Sequence, residues 1–516
     1  MIDVFQDLGN GFSVALTPTN ILFAFIGVVA GMIIGALPGI GTVVGVSLLL
    51  PLTFDMDPTS AIIMLAAIYY GAQYGGTITS VLINMPGEAA TVATTLDGYQ
   101  MALQGRAAKA LGIATIGSFI AGTVGVIVVT LLSPLLTTYA LRFGPPEYFA
   151  LILLGFTALG AVAGSSLAKG LTSVVVGLLL STVGLDIMSG RSRFTFGEDW
   201  LISGFSFLLV AIGVFGIGEI LDGMMTPGEH PIIKTSLSWR SSLPSAAEWV
   251  RSRWAIVRGT LIGLLVGALP GAGSTLASFI AYSVERNVSK HPKEFGKGAI
   301  EGVAAPESAN NSASAAAMIP LLTLGVPGSG TTAVLLGGFL LWGLRPGPLL
   351  FTQHPDFAWG LIASMYIGNV MLVLLNIFAT PLFASLLWVP YAIQAAFVVL
   401  FSVVGAYSLN NNPLDVVVMI AFGILGFAMK RLDYPAAGLI LGLVLGPLAE
   451  KSLRQSLTLS RGDWSIFFTR PIAAVLMVLA VAALLWPLAR KALVRSARNR
   501  EMRNVEREVQ RSGGEE

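Results

Sequence analysis

Gly35-Ala36-Leu37-Pro38-Gly39-Ile40-Gly41 returns as Gly267-Ala268-Leu269-Pro270-Gly271-Ala272-Gly273, 232 positions later. Six of the seven residues are identical, and upstream Gly27 and Gly31 answer to Gly259 and Gly263 at the same interval. Identity this dense in an apolar context marks a duplicated unit. Each copy interrupts a hydrophobic helix with a Pro-Gly break. Broken backbone inside a membrane is tolerated only where protein or a water-filled cavity satisfies the freed groups. Duplicated units with broken helices mark many secondary transporters, whose sites form where the breaks meet.

Composition agrees. The 516 residues are 54% hydrophobic and 11% charged, against roughly 25% charged in a soluble domain. The fold class expected is therefore an all-α polytopic membrane protein. A net charge of +2 gives no reason to expect nucleic acid. The absence of cysteine excludes disulfides, thiolate catalysis and cysteine metal sites. His230, His291 and His354 lie in polar connections without metal-ligand spacing and read as solvated. Acids at Asp3 and Asp7 stand where a signal peptide carries bases, so the first apolar run, from Ile21, reads as an uncleaved transmembrane segment.

Apolar stretches able to cross about 30 Å of hydrocarbon fall near 20–36, 60–84, 108–132, 147–163, 168–186 and 202–222, then near 255–270, 304–325, 332–350, 357–386, 391–409, 413–429, 434–449 and 469–490. Short apolar pieces at 42–52 and 274–283 follow the two breaks and read as returning half-helices. The expectation is about 11–14 transmembrane or re-entrant helices. The organisation expected is a first repeat over 1–222, a polar connection over 223–253, a second repeat over 254–409, further helices over 410–490 and a basic tail over 491–516.

The loop after the first break, Thr53–Pro58, has two acids and no base, whereas its counterpart carries Arg286, Lys290, Lys293 and Lys297. Lysine and arginine favour the cytoplasmic side, so the two copies are expected to be inverted. The basic tail then lies in the cytoplasm and the N-terminus outside. Arg191, Arg193, Lys451 and Arg454 depart from this scheme.

A second pair of breaks follows the first. One is Asn84-Met85-Pro86-Gly87-Glu88, the other Gly325-Val326-Pro327-Gly328-Ser329, and their Pro-Gly pairs are 241 apart. Helix ends inside a membrane leave N–H groups on one side and carbonyls on the other. The N–H ends suit a carboxylate, and the expected substrate-binding residues are Pro86, Gly87, Glu88, Thr91, Pro327, Gly328, Ser329, Gly330, Thr331 and Thr332. Free carbonyls with hydroxyl and amide oxygens suit Na⁺. The expected ion-binding residues are Gly39, Gly41, Gly271 and Gly273 with Thr77, Thr79, Asn84, Asn310, Asn311 and Ser312. The scattered Gly27, Gly31 and Gly35 read instead as close helix packing. Glu88 and Glu307 read either as functional carboxylates at membrane depth, or as groups that lie at a water-exposed mouth or simply cap a helix start.

At these motifs the chain resembles the large membrane subunit of the tripartite tricarboxylate transporters, the TctA type. The residues that carry the resemblance are the two Gly-Ala-Leu-Pro-Gly-x-Gly copies, Tyr74-Gly75-Gly76-Thr77, Asn84-Met85-Pro86-Gly87-Glu88 and Pro306-Glu307-Ser308-Ala309-Asn310-Asn311, and it runs from about 20 to 490. It implies a bacterial inner-membrane importer driven by an ion gradient. Its partners would be a small membrane subunit and a periplasmic solute-binding protein that delivers a carboxylate such as citrate. Related tripartite systems suggest an elevator. No cofactor is expected beyond the coupling ion, with Na⁺ favoured over H⁺ because embedded carboxylates are few.

Two rivals remain. A permease powered by a separate ATPase would need a coupling helix, for which 223–253 is the only long candidate. An intramembrane hydrolase would need a base beside Ser80 or Ser329, and no embedded histidine or lysine is apparent. Gly325–Thr332 looks superficially like a phosphate-binding loop but lacks the lysine, which speaks against ATP hydrolysis by this chain.

Overall fold

The computed structural model describes residues 2–37, 40–162, 166–186, 188–225, 239–271 and 273–485. Pro38, Gly39, Ala272, His230 and the basic tail expected over 491–516 lie outside them. The chain is almost wholly helical, with one two-residue strand pair, Gly184–Leu185 against Ser192–Arg193. Among the described residues eight helices of at least 18 residues are apolar enough to cross a membrane. Shorter apolar helices at Gly41–Thr53, Leu167–Ser181, Gly330–Leu341 and Pro471–Leu485 accompany them.

The first arm starts with helix Pro18–Ala36, whose N-terminal Asn20 N–H is accepted by Thr17 and whose proline sits in the first turn, where its missing N–H costs nothing. After the break, helix Gly41–Leu49 and a 3₁₀ turn over Leu50–Thr53 lead to helix Pro58–Ile83, capped by the Asp57 carboxylate. A side-chain carbon at Gly27, Gly31 or Gly35 would overlap the carbonyl of Met64, Ile68 or Ala72. The contacts advance together along both helices, so the helices run parallel. The chain between them must double back, and the half-helix Gly41–Thr53 supplies that return.

The same packing recurs in the second arm. Gly259, Gly263 and Gly267 of helix Ala246–Gly267 abut the carbonyls of Ala305, Ala309 and Ala313 in helix Glu301–Ala316. Each glycine is 232 beyond its counterpart and each carbonyl 241 beyond, the two intervals read from the motifs. Helix Gly273–Val288 occupies the returning position. Only small residues permit such close backbone approach between apolar helices.

Hydropathy predicts that the polar connection ends at 253, but the helix begins at Ala246. Ser245 and Glu248 form a capping box there, which satisfies orphan N–H groups and carries the charged first turns of this helix into regular structure. Residues 226–238 of that connection are outside the described set.

Helix Pro58–Ile83 is almost entirely buried, whereas outer helices expose large apolar side chains such as Leu265, Phe378, Leu382 and Val417. Lipid is the environment in which that exposure carries no penalty. Two of the basic residues that depart from the topology scheme are paired. Arg193 bonds Glu450 at 2.7 Å, and Arg454 bonds Asp186 at 2.9 Å and Glu450 at 3.1 Å. Hydrogen bonds from Ser189, Arg454 and the Met188 N–H hold the Asp186 carboxyl well below the usual carboxylate range.

Candidate functional site

All four breaks meet at one cavity of about 690 Å³. Gly41 reaches it from the first break, Pro86-Gly87-Glu88 from the second, Gly271 and Gly273 from the third, and Ser329-Gly330-Thr331 from the fourth. The volume suits a small molecule, for which sites span roughly 300–1,000 Å³. Helices Gly41–Leu49, Gly273–Val288 and Gly330–Leu341 begin at its wall, as does the turn Ala89–Thr91 that opens helix Val92–Leu103. Helix N-termini present N–H groups and a positive dipole end, both favourable to an anion. Among the described lining residues there is no lysine or arginine. The lining acids are Glu88 and Glu219, and Glu219 is ion-paired with Lys430.

Glu88 is buried. It precedes the turn Ala89–Thr91, where its N–H donates to Thr91 Oγ1 at 3.4 Å and Thr91 Oγ1 donates to its carbonyl at 3.0 Å. Its carboxylate accepts from Thr42 Oγ1, and from Asn310 Nδ2 at 3.1 Å. Ser329 stands 241 residues on and caps helix Gly330–Leu341 in the same way, with Thr332 in place of Thr91. One arm therefore presents a carboxylate where the other presents a hydroxyl.

Glu307 lies mid-helix at 1% exposure and accepts from Thr77 Oγ1 at 2.8 Å and Thr94 Oγ1 at 2.5 Å. It is among the interior side chains and does not line the cavity. Asn311 donates to Ser118 Oγ at 2.7 Å and to the Glu307 carbonyl at 3.1 Å. Asp97, fully buried, ties helix Val92–Leu103 to the second arm. It accepts from Tyr282 Oη at 2.9 Å and from the N–H groups of Gly296, Gly298 and Ala299 at 2.8–2.9 Å.

Other expected residues take local roles. Thr79 donates to the Gly76 carbonyl at 2.9 Å, and Ser312 donates to the Ser308 carbonyl at 2.9 Å while sitting against Gly263. Gly328 accepts from the Gly273 N–H at 3.1 Å, which ties the third break to the fourth. Gly39 lies outside the described residues. Asn84 is exposed and ends helix Pro58–Ile83 in the left-handed conformation, φ 57°. Gly325, 241 residues on, ends helix Met318–Leu324 at φ 70°. Asparagine and glycine are the residues that tolerate this geometry at a helix C-terminus, so Asn84 has a sufficient structural reason at its position.

Sequence reasoning missed Thr42, Tyr69, Gln73, Thr94 and Asp97. Thr42 was reachable, since it directly follows the first motif. The others are single polar residues in apolar or unremarked stretches, and only their partners, far away in sequence, single them out.

Ser80 is buried and donates to the Gly76 carbonyl at 2.9 Å, and Ser329 is engaged with Thr332. Neither has a histidine or lysine partner in these bonds. Among the described residues no three histidine, cysteine or acidic side chains cluster to hold a metal.

The model of the Tripartite tricarboxylate transporter TctA family matches residues 21–441. A 52.8 kDa protein of Agrobacterium vitis, described as uncharacterised and in the TAR-I ttuC' 3'region, is 46% identical over 484 residues, covering 93% of this chain and 96% of the relative. A second Agrobacterium vitis protein, from the TAR-II ttuC' 3'region, is 49% identical over 207 residues, covering 40% of this chain and 86% of its own length. No solved structure matches the chain. With its apolar helices this is a multi-pass membrane protein and a transporter component, not an enzyme, and it belongs to the Tripartite tricarboxylate transporter TctA family.

Proposed function

We propose that the chain is the large membrane subunit of an inner-membrane importer that takes up an organic carboxylate, tricarboxylate or citrate-like, with a Na⁺ gradient. The observation that carries this reading is the cavity where four breaks meet, with helix N-termini at its wall. A carboxylate is held there by N–H groups and hydroxyls of Pro86–Thr91 and Pro327–Thr332, without a fixed basic side chain. Such weak, distributed holding suits a site that must also release its cargo.

The two arms act as inverted repeats, with the N-terminus periplasmic and the C-terminus cytoplasmic. They form the moving body of an elevator, and the helices outside the two arms form its scaffold. A small membrane subunit braces that scaffold, and a periplasmic solute-binding protein delivers the carboxylate. The family's description supports a tripartite assembly. Reconstitution tests it. With the small subunit alone the chain gives little uptake, and liganded binding protein restores it. Saturable full-rate uptake without that protein would count against a tripartite importer, and dependence on ATP would favour the ATPase-powered permease.

A further inference from the structure

Behind the cavity wall, two buried amides expose the wrong half of themselves. Gln73 and Asn310 are fully buried. Gln73 Nε2 donates to Ser314 Oγ, and Asn310 Nδ2 donates to the Glu88 carboxylate at 3.1 Å. Their carbonyl oxygens, Gln73 Oε1 and Asn310 Oδ1, have no donor. Exchanging O and N does not rescue either one. The Ser314 hydroxyl already donates to the Asn310 main-chain carbonyl at 2.9 Å, so toward Gln73 it can only accept. At Asn310 an exchange would set a carbonyl against the Glu88 carboxylate, acceptor against acceptor. The Tyr69 hydroxyl, also buried, lies beside Gln73, Ser314 and Ser329 and lines the cavity.

Buried polar atoms are satisfied in native proteins, and each exception needs a reason. Gln73 and Asn310 are joined through Ser314, and the Asn310 amide reaches Glu88, so these two orphaned oxygens, both acceptors only, belong to one polar group. Acceptors that have no donor are satisfied by a cation. We propose that Gln73 Oε1, Asn310 Oδ1, the Tyr69 hydroxyl and the Glu88 carboxylate form a binding site for a dehydrated Na⁺. One carboxylate among neutral oxygens matches a monovalent charge. A divalent ion calls for more carboxylates, and among the described residues no cluster of three acidic, histidine or cysteine side chains exists.

The site deepens the proposed function and rests on it. Glu88 and Tyr69 also line the cavity, so the ion sits in its wall. An anion at the helix N-termini then meets a neutralised Glu88. Without the ion, the carboxylate of Glu88 repels the carboxylate of the cargo. Each ligand therefore favours the other, and reciprocity makes the coupling mutual. Gln73 comes from the first arm and Asn310 from the second, so the ion also holds the two arms together.

Equilibrium binding of radioactive Na⁺ to the purified full-length chain tests this without substrate or partner proteins. The wild-type chain should bind Na⁺ in preference to K⁺ and gain melting temperature with it. Gln73→Leu and Asn310→Leu should each weaken Na⁺ binding roughly tenfold or more. They should lose the Na⁺-dependent gain in melting temperature. Tyr69→Phe, which removes one oxygen with little change of shape, should weaken binding about three- to tenfold and keeps the test sharp if the amide variants fail to fold. Na⁺ binding at wild-type strength in Tyr69→Phe and either amide variant would overturn the site while leaving Na⁺-driven transport standing. A wild-type chain that binds K⁺ as well as Na⁺, or neither, overturns the site directly. Uptake that ignores Na⁺ in the reconstituted system brings down the proposed coupling as well.

Discussion

Gln73 and Ser314 are hydrogen bonded side chain to side chain, and they stand 241 residues apart, the interval that also separates Pro86 from Pro327. Matching positions of the two arms thus touch each other. In symmetric assemblies, self-matching contacts occur where the symmetry axis passes. The cavity and the orphaned oxygens lie beside this contact, which supports a transport site at the junction of the arms.

Close packing of the arms makes specific glycines indispensable. Gly35→Ala and Gly267→Ala should each destabilise the chain by about 1–3 kcal/mol, the cost of forcing a methyl into a filled contact. Gly9, whose added Cβ would meet nothing within 4 Å, should accept alanine within about 0.5 kcal/mol. Thermal unfolding of the purified variants distinguishes them, and equal effects would contradict the packing described.

Much of this organisation is legible in the sequence. Gly35–Gly41 and Gly267–Gly273 disclose the duplication because each places the same Pro-Gly break inside an apolar run. The interior polar network does not show. Gln73 and Asp97 acquire meaning only from Ser314 and from Gly296–Ala299, which lie hundreds of residues away and come near through folding. Asn84 carries two readings for the opposite reason: its side chain offers an oxygen to an ion, and its backbone takes the left-handed helix end that Gly325 takes in the second arm.

That distinction can be measured. Asn84→Gly copies what the second arm has at Gly325 and should leave both stability and the Na⁺ concentration for half-maximal uptake near wild type. Asn84→Leu should cost about 1–2 kcal/mol of stability, the penalty of an ordinary side chain in the left-handed region, again without changing Na⁺ dependence. A tenfold rise in the Na⁺ requirement of Asn84→Gly would restore Asn84 as an ion ligand.

Inverted topology predicts opposite accessibility for two exposed loops. Asp57 caps helix Pro58–Ile83 by accepting from Thr59 and Ser60, so the neighbouring Asp55 is the better labelling position. Cysteines placed at Asp55 and Lys290 in this cysteine-free chain should react from opposite faces of the membrane. Labelling of both from one face would exclude inverted arms.

Glu307 separates the two coupling ions. Its carboxylate is satisfied by Thr77 and Thr94 away from the cavity. Under Na⁺ coupling, Glu307→Gln should retain uptake within about tenfold, since the amide oxygen can still accept from one of those hydroxyls while its NH2 donates to the other. Abolished uptake in a properly folded Glu307→Gln would point to a proton carrier.

The most direct test is uptake into vesicles containing the chain and its small subunit, supplied with liganded binding protein. An imposed inward Na⁺ gradient, without ATP and without a pH gradient, should drive accumulation of the carboxylate, and collapsing that gradient should stop it. Accumulation that persists without Na⁺ and follows a pH gradient would contradict the account.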